Sequence, residues 1–302
     1  MIERKTAASK VFYLLIICIV VLFSLSCLLP LIYTLSLSFS SKEAVAAGLV
    51  GFWPVGFTTV NYKEIMKDVQ FFRSFITAVT RVVLATAISL GVMIPASYAL
   101  AKPKKEFAPR NIIMWICIFC MMFSGGLIPL YLVVKQLHLI NTRGIIVLLG
   151  SISVYNIIIA RSFFTSSIPK ELQEAAFVDG CTNQRFFVSI VVPISKPIIA
   201  VITLYCAISY WNSFFNAMIY LNDRNKFPLQ LVLREILLSF QVMQQQAASG
   251  GGVDAETIAE MNTLVEVVKY GVIVVAAVPV LFIYPFIQKY FVKGVMIGAV
   301  KG

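Results

Sequence analysis

The residues whose chemistry is most legible lie in one polar stretch, SSIPKELQEAAFVDGCTNQRFFVSIVVPISKP, from Ser166 to Pro197. Within it Glu174 stands beside Ala175 and Ala176, and Asp179 precedes Gly180. A lone carboxylate next to two methyl side chains is not an acid–base pair. It suits contact. Small side chains let a partner backbone come close, and Glu174 can pair with a basic residue in a partner's cleft. Two readings fit: a helix that docks on another protein, or an interfacial helix lying on lipid. A second group, Tyr205, Tyr210, Trp211, Asn212 and Asn216, mixes rings and amides in an apolar run. Sugars are held by ring stacking and amide hydrogen bonds, so these residues can line a sugar pathway. Ordinary helix packing uses the same residue types.

Other chemistry is thin. Cys117-x-x-Cys120 has metal or redox spacing, but it sits in MWICIFCMMF without polar company and reads as plain apolar packing. His138 is the only histidine, and one histidine builds no metal site. Ser124-Gly125-Gly126 lies inside an apolar run and reads as close helix packing. No Gly-Lys dipeptide occurs, so there is no phosphate-binding loop of the Walker type. The chain is not expected to hydrolyse ATP, and no residue is assigned a catalytic or metal-binding role.

These residues must be positioned by membrane helices. The chain has 302 residues, 59% of them hydrophobic and 13% charged, and a mean hydropathy of +0.88. Soluble domains are about half apolar and a quarter charged, so an ordinary soluble enzyme and a disordered chain are both excluded. Six gaps between charged residues are long enough to span: Lys10–Lys42, Arg81–Lys102, Arg110–Lys135, Arg143–Arg161, Lys196–Asp223 and Lys269–Lys289. The first follows the basic start MIERKTAASK and is too long for a signal peptide, so it reads as an uncleaved span. Glu43–Lys63 and Glu235–Asp254 are broken by glycine, proline or glutamine and read as loops outside the membrane. Arg73 and Arg81 bracket the outer start of the second span and are expected to reach the interface or to pair within a complex.

Six spans put both termini on one side. That side holds 14 of the 25 basic residues and only 5 of the 14 acids, so it is expected to be cytoplasmic. The net charge of +11 is thereby accounted for without a nucleic acid. The Ser166–Pro197 stretch falls on the same side. There Pro169 suits a first turn, Leu172, Ala175, Ala176 and Asp179 share one face, and Gly180 closes the helix. A second short helix is expected from Asn183 to about Pro193 and Pro197.

The pattern Glu174-Ala175-Ala176, then Gly180, Ile190 and Val192-Pro193, resembles the EAA loop of ABC importer permeases. The family usually has leucine at the position of Val192. Asp179, Pro197, Tyr98-Ala99-Leu100-Ala101, Trp211-Asn212 and the closing Met296–Gly302 are similar to the carbohydrate-uptake branch, which includes the smaller maltose-system permease. The resemblance implies an all-α, type I importer permease with six spans, forming a single domain over 1–302. Its first span would cover about 11–40, its core about 70–292 with the loop at about 162–196, and its tail 293–302. It implies docking on an ATPase through Glu174, Ala175, Ala176, Asp179, Gly180, Ile190 and Pro193, and tail contacts through Gly298, Lys301 and Gly302. The implied partners are a second permease subunit, an ATPase dimer that holds ATP and magnesium, an external sugar-binding protein and the lipid bilayer. The implied cargo is a sugar, most simply an oligosaccharide. The rival readings are a permease of an ABC importer for another small solute and a secondary carrier, the latter disfavoured because no acid lies at the middle of any expected span. The charge distribution gives a direct expectation: a cysteine placed at position 174 of a cysteine-free chain should react with an impermeant thiol reagent only from inside the cell. Labelling from outside would overturn the topology.

Overall fold

The structure, a computed structural model, describes residues 7–67, 69–248, 269–283 and 285. Every element among the described residues is helical. The chain forms two compact units, one of Met1–Val69 with Leu233–Val278 and one of Gln70–Val232 with Pro279–Gly302.

In the first unit, helix α1 (Ala7–Ser38) is apolar all round, and none of its spanning window is buried in the protein. Such a helix is at home only against lipid or other helices. Ser41 then caps α2 (Lys42–Ala46), its hydroxyl accepting from the Ala44 amide at 3.3 Å. Leu37, Ala44, Val45 and Val50 close a small core. Buried Asn61, in α3 (Val60–Lys67), donates to the Ser38 carbonyl at 3.1 Å and ties that core to the end of α1.

The second unit opens with α4 (Val69–Ala101), long and apolar enough to cross a membrane by itself. It begins well before Arg81, so that residue lies inside the helix and not at its mouth. The next expected spans are broken. α5 (Arg110–Met122) and α6 (Leu127–Gln136) meet at 114°. Ser124-Gly125-Gly126 is therefore a break and not a packing surface. Gly126 takes φ +90, which a side chain would resist, and two glycines in succession weaken a helix. α7 (Arg143–Leu148) stops before Gly150, at φ +83, and α8 (Val154–Ser167) restarts under the Ser153 cap. α9 (Lys170–Val178) and α10 (Asn183–Phe186) make the expected pair of short helices. A π-turn at Phe187–Val191 and α11 (Val192–Ile194) extend α10. That segment bends by 78° into α12 (Lys196–Asn212), where Pro193 and Pro197 were expected to end it. α13 (Phe215–Tyr220) follows after two residues. The region from 235 onward, expected as a loop, continues as α14 (Leu229–Ala248), seeded by buried Leu229, Leu231 and Val232. The last apolar gap carries α15 (Lys269–Ile283).

Breaks leave carbonyls without helical partners, and hydrocarbon offers none. Arg81 answers two of them. Its Nε donates to the Ile146 carbonyl in the last turn of α7 at 2.9 Å, and its Nη1 to the Ser213 carbonyl at the end of α12 at 2.7 Å. The residue is 3% exposed, with the guanidinium carbon 5.9 Å from the centre of the Tyr210 ring. Two helix C-termini, each bearing partial negative charge, thus face the cation. Arg81 does not reach the interface, as the sequence had suggested. Arg73 instead donates to the Asn225 side chain. Replacing Arg81 by leucine leaves both carbonyls unpaired and is expected to cost about 2–4 kcal/mol. Arg81→Lys should cost less, since an ammonium can still reach one of them. Thermal unfolding of the purified protein checks the order, and an unchanged transition for Arg81→Leu would contradict the assignment.

Candidate functional site

The docking stretch folds by local rules. Pro169, at φ −63, leads into α9. At the far end Gly180 takes φ +77, its amide donates to the Phe177 carbonyl at 3.0 Å, and the Cys181 amide donates to Ala176 at 2.9 Å. This is a Schellman stop, in which glycine provides the left-handed residue. Thr182 then caps α10, accepting from the Arg185 amide at 3.3 Å. Pro193 has no amide to give, and the π-turn just ahead of it accommodates the defect.

Two anchors fix α9. On one side, half-exposed Phe177 meets fully buried Phe186 edge to face with ring centres 5.9 Å apart. Alongside, Gln173 donates to Glu106 at 3.0 Å, and Glu106 pairs with Lys102 at 3.0 Å. Burial works against ionisation of Glu106, but the bonds from Gln173 and Lys102 and the charges of Lys102 and Lys170 outweigh it. Its carboxyl is held below the ordinary value, so this contribution to stability is present at neutral pH. It is lost only as the pH falls through the lowered value.

The helix divides its two alanines. Ala176 is 9% exposed and belongs to the chain's own core, with Leu172 and Cys181 packed against that core. Ala175, Glu171, Glu174 and Val178 are exposed at helical spacing, Val178 at 87%. Leu172 and Ala176 therefore turn inward, and the outward face is formed by Glu174, Ala175 and Val178. Asp179 and Gly180 are exposed at the stop, Ile190 is half-buried and Pro193 is exposed. Val178 was missed in the sequence because an apolar residue in a helix reads first as core. Gly298, Lys301 and Gly302 lie outside the described residues.

The ring-and-amide group also separates. Tyr210 is buried, its hydroxyl 3.0 Å from Ser89 Oγ. Trp211 is buried edge-on to Phe75. Both are buried in the packing of the chain. Tyr205 and Asn212 are exposed and Asn216 half-exposed. Asn141 was not anticipated. It sits at φ 57, and its side-chain oxygen accepts from the Asn222 and Asp223 amides at 3.2 and 3.1 Å, pinning two loops together. Asparagine after a helix end is the signal that marks such a position.

Broken membrane helices around a separately anchored polar helix define a transport permease. The chain belongs to the family of binding-protein-dependent transport system inner membrane components, matched over residues 93–297. It is 37% identical to the polygalacturonan/rhamnogalacturonan transport system permease protein YtcP of Bacillus subtilis (strain 168), over 97% of this chain and 99% of that one. It is 38% identical to protein LplC of the same organism, over 91% of this chain and 90% of that one. Among solved structures it is similar to a bacterial ABC transporter involved in the import of the acidic polysaccharide alginate. There the TM-score is 0.81 at 32% identity, covering 95% of this chain and 98% of the other.

The two alanines should separate in mutagenesis. Ala175→Trp adds bulk on the outward face and should abolish uptake while the protein still folds and inserts. Ala176→Trp overpacks the chain's own core and should cost about 1–3 kcal/mol or more, lowering the yield of folded protein. Solute uptake and thermal unfolding measured side by side check this. Equal loss of stability in both variants would refute the division.

Proposed function

We propose that this chain is the membrane permease subunit of an ATP-driven importer of oligosaccharides, with uronic-acid oligomers as cargo. The observation that carries this reading is its near full-length similarity to a permease named for polygalacturonan and rhamnogalacturonan. The similarity to an importer of acidic alginate points the same way. The chain works with a second permease, an ATPase dimer and an external binding protein, and both of its termini face the cytoplasm. ATP and magnesium are held by the ATPase, and this chain carries no catalytic residue. Closure of the ATPases pulls on α9 through Glu174, Ala175 and Val178, while the Asp179–Gly180 stop keeps the helix short and rigid. The spans then rock between inward- and outward-facing states. Tyr205, Asn212 and Asn216 contact the sugar on its way, and the tail through Gly298, Lys301 and Gly302 reaches the ATPases.

The test is uptake of labelled oligogalacturonides and of a neutral maltooligosaccharide by cells with and without the chain. The expected outcome is loss of oligogalacturonide uptake on deletion, restored by the wild-type chain. Loss of the neutral sugar alone would keep the importer and overturn the acidic cargo. No effect on either sugar would overturn sugar import.

A further inference from the structure

A cleft at one end of α4 and α5 is bordered by the start of α9 but lies apart from the outward face of that helix and from the residues assigned to the sugar path. We propose that it binds the phosphate headgroup of an anionic phospholipid. The cleft holds about 220 Å³, and its lining includes Lys102, Arg110, Lys170, Tyr98, Thr165 and Gln173. It carries three cations and no carboxylate. The nearest acids are Glu106, already bound to Lys102 and Gln173, and Glu171 in the first turn of α9. The Lys102 ammonium lies in the wall, 4.9 Å from the centre of the Tyr98 ring and paired with Glu106, so the net positive charge of the cleft rests on Arg110 and Lys170. The Tyr98 hydroxyl is buried beside it without a hydrogen-bond partner among the described residues. Lys170 opens α9, whose N-terminus has no side-chain cap, so its first amides add to the positive field.

The surroundings select a lipid over a free anion. α4 ends its apolar run at Ala101, and α5 begins its own at Arg110, which places the cleft at the membrane boundary. Ile112, Trp115, Ile116 and Phe119 form an exposed apolar stripe on the face of α5 turned away from Arg110, with Trp115 at 71% exposure, as expected of a helix that meets lipid from this end onward. Tryptophan near a bilayer surface and a basic pocket between spans are both hallmarks of headgroup contact. Since Lys170 belongs to α9, a bound headgroup also ties the docking helix to the membrane plane. That consequence rests on the docking reading, whereas lipid binding itself does not.

The experiment uses the complete transporter, purified with its partner subunits and passed through vesicles of phosphatidylglycerol or of phosphatidylcholine. Native mass spectrometry then reads retained lipid. Phosphatidylglycerol should stay bound and phosphatidylcholine should not. Lys170→Gln should weaken retention about fivefold, the effect of one basic residue near a charged headgroup. Lys104→Gln with Lys105→Gln, exposed but outside the cleft, should leave it unchanged. Equal retention in Lys170→Gln would overturn the proposal. So would full displacement by millimolar inorganic phosphate, which would mark a free-anion site. Crosslinking from position 170 to an ATPase chain in place of lipid would assign the cleft to that partner. ATP hydrolysis by the same samples reads the docking consequence separately, so a failure there leaves the lipid result standing on its own.

Discussion

A single guanidinium, shut away from water, holds together helices that would otherwise end in hydrocarbon with unpaired carbonyls. Arg81 reaches Ile146 and Ser213, on two different broken segments, from one position on an unbroken helix. A lysine has one point of charge, and a neutral amide carries both of its donors on a single nitrogen. The planar fork of arginine fits because its donors diverge at fixed angles. The broken helices depend on this contact, since a transport path needs interrupted backbone and the membrane penalises it.

Helix α9 obeys a different constraint. On the proposed reading it presents a surface to a partner and is held firmly enough to transmit force. The chain separates these tasks by direction. Ala176 and Phe186 look inward, Phe177 covers Phe186 from the exposed side, and Gln173 clasps Glu106 alongside. Glu174, Ala175 and Val178 are left outside. Small size serves twice here. At position 176 it fits the helix against its own core, and at 175, on the proposed reading, it leaves room for another backbone.

Much of this was legible in the sequence because local rules fix it. Pro169 and Gly180 mark helix ends through their own backbone preferences, and they act close to where expected, while Thr182 supplies an unanticipated cap. Hydropathy located the apolar segments, since charge is excluded from lipid wherever it has no partner. It failed at Arg81 for the same reason. Counting between charges makes every charge a border, whereas this one is compensated by carbonyls that no sequence rule pairs with it. Which alanine points inward was equally hidden. Adjacent helix positions differ by 100°, and Phe186, ten residues on, decides the rotation by tertiary contact. The breaks at Gly126 and Gly150 were visible as glycines, but a glycine within an apolar run signals close packing as readily as a turn.

The corner at Ser195 has a mechanical meaning. The segment 183–194 and α12 form two arms set at 78°. The Ser195 amide donates to Val191 at 3.0 Å, and the Ile199 amide to Ser195 at 3.0 Å, so hydrogen bonds run through the corner on both sides. A joint bonded in this way resists stretching along either arm. It behaves as a bell crank: a push along one arm reappears as a swing of the other, with the direction of motion turned by nearly a right angle.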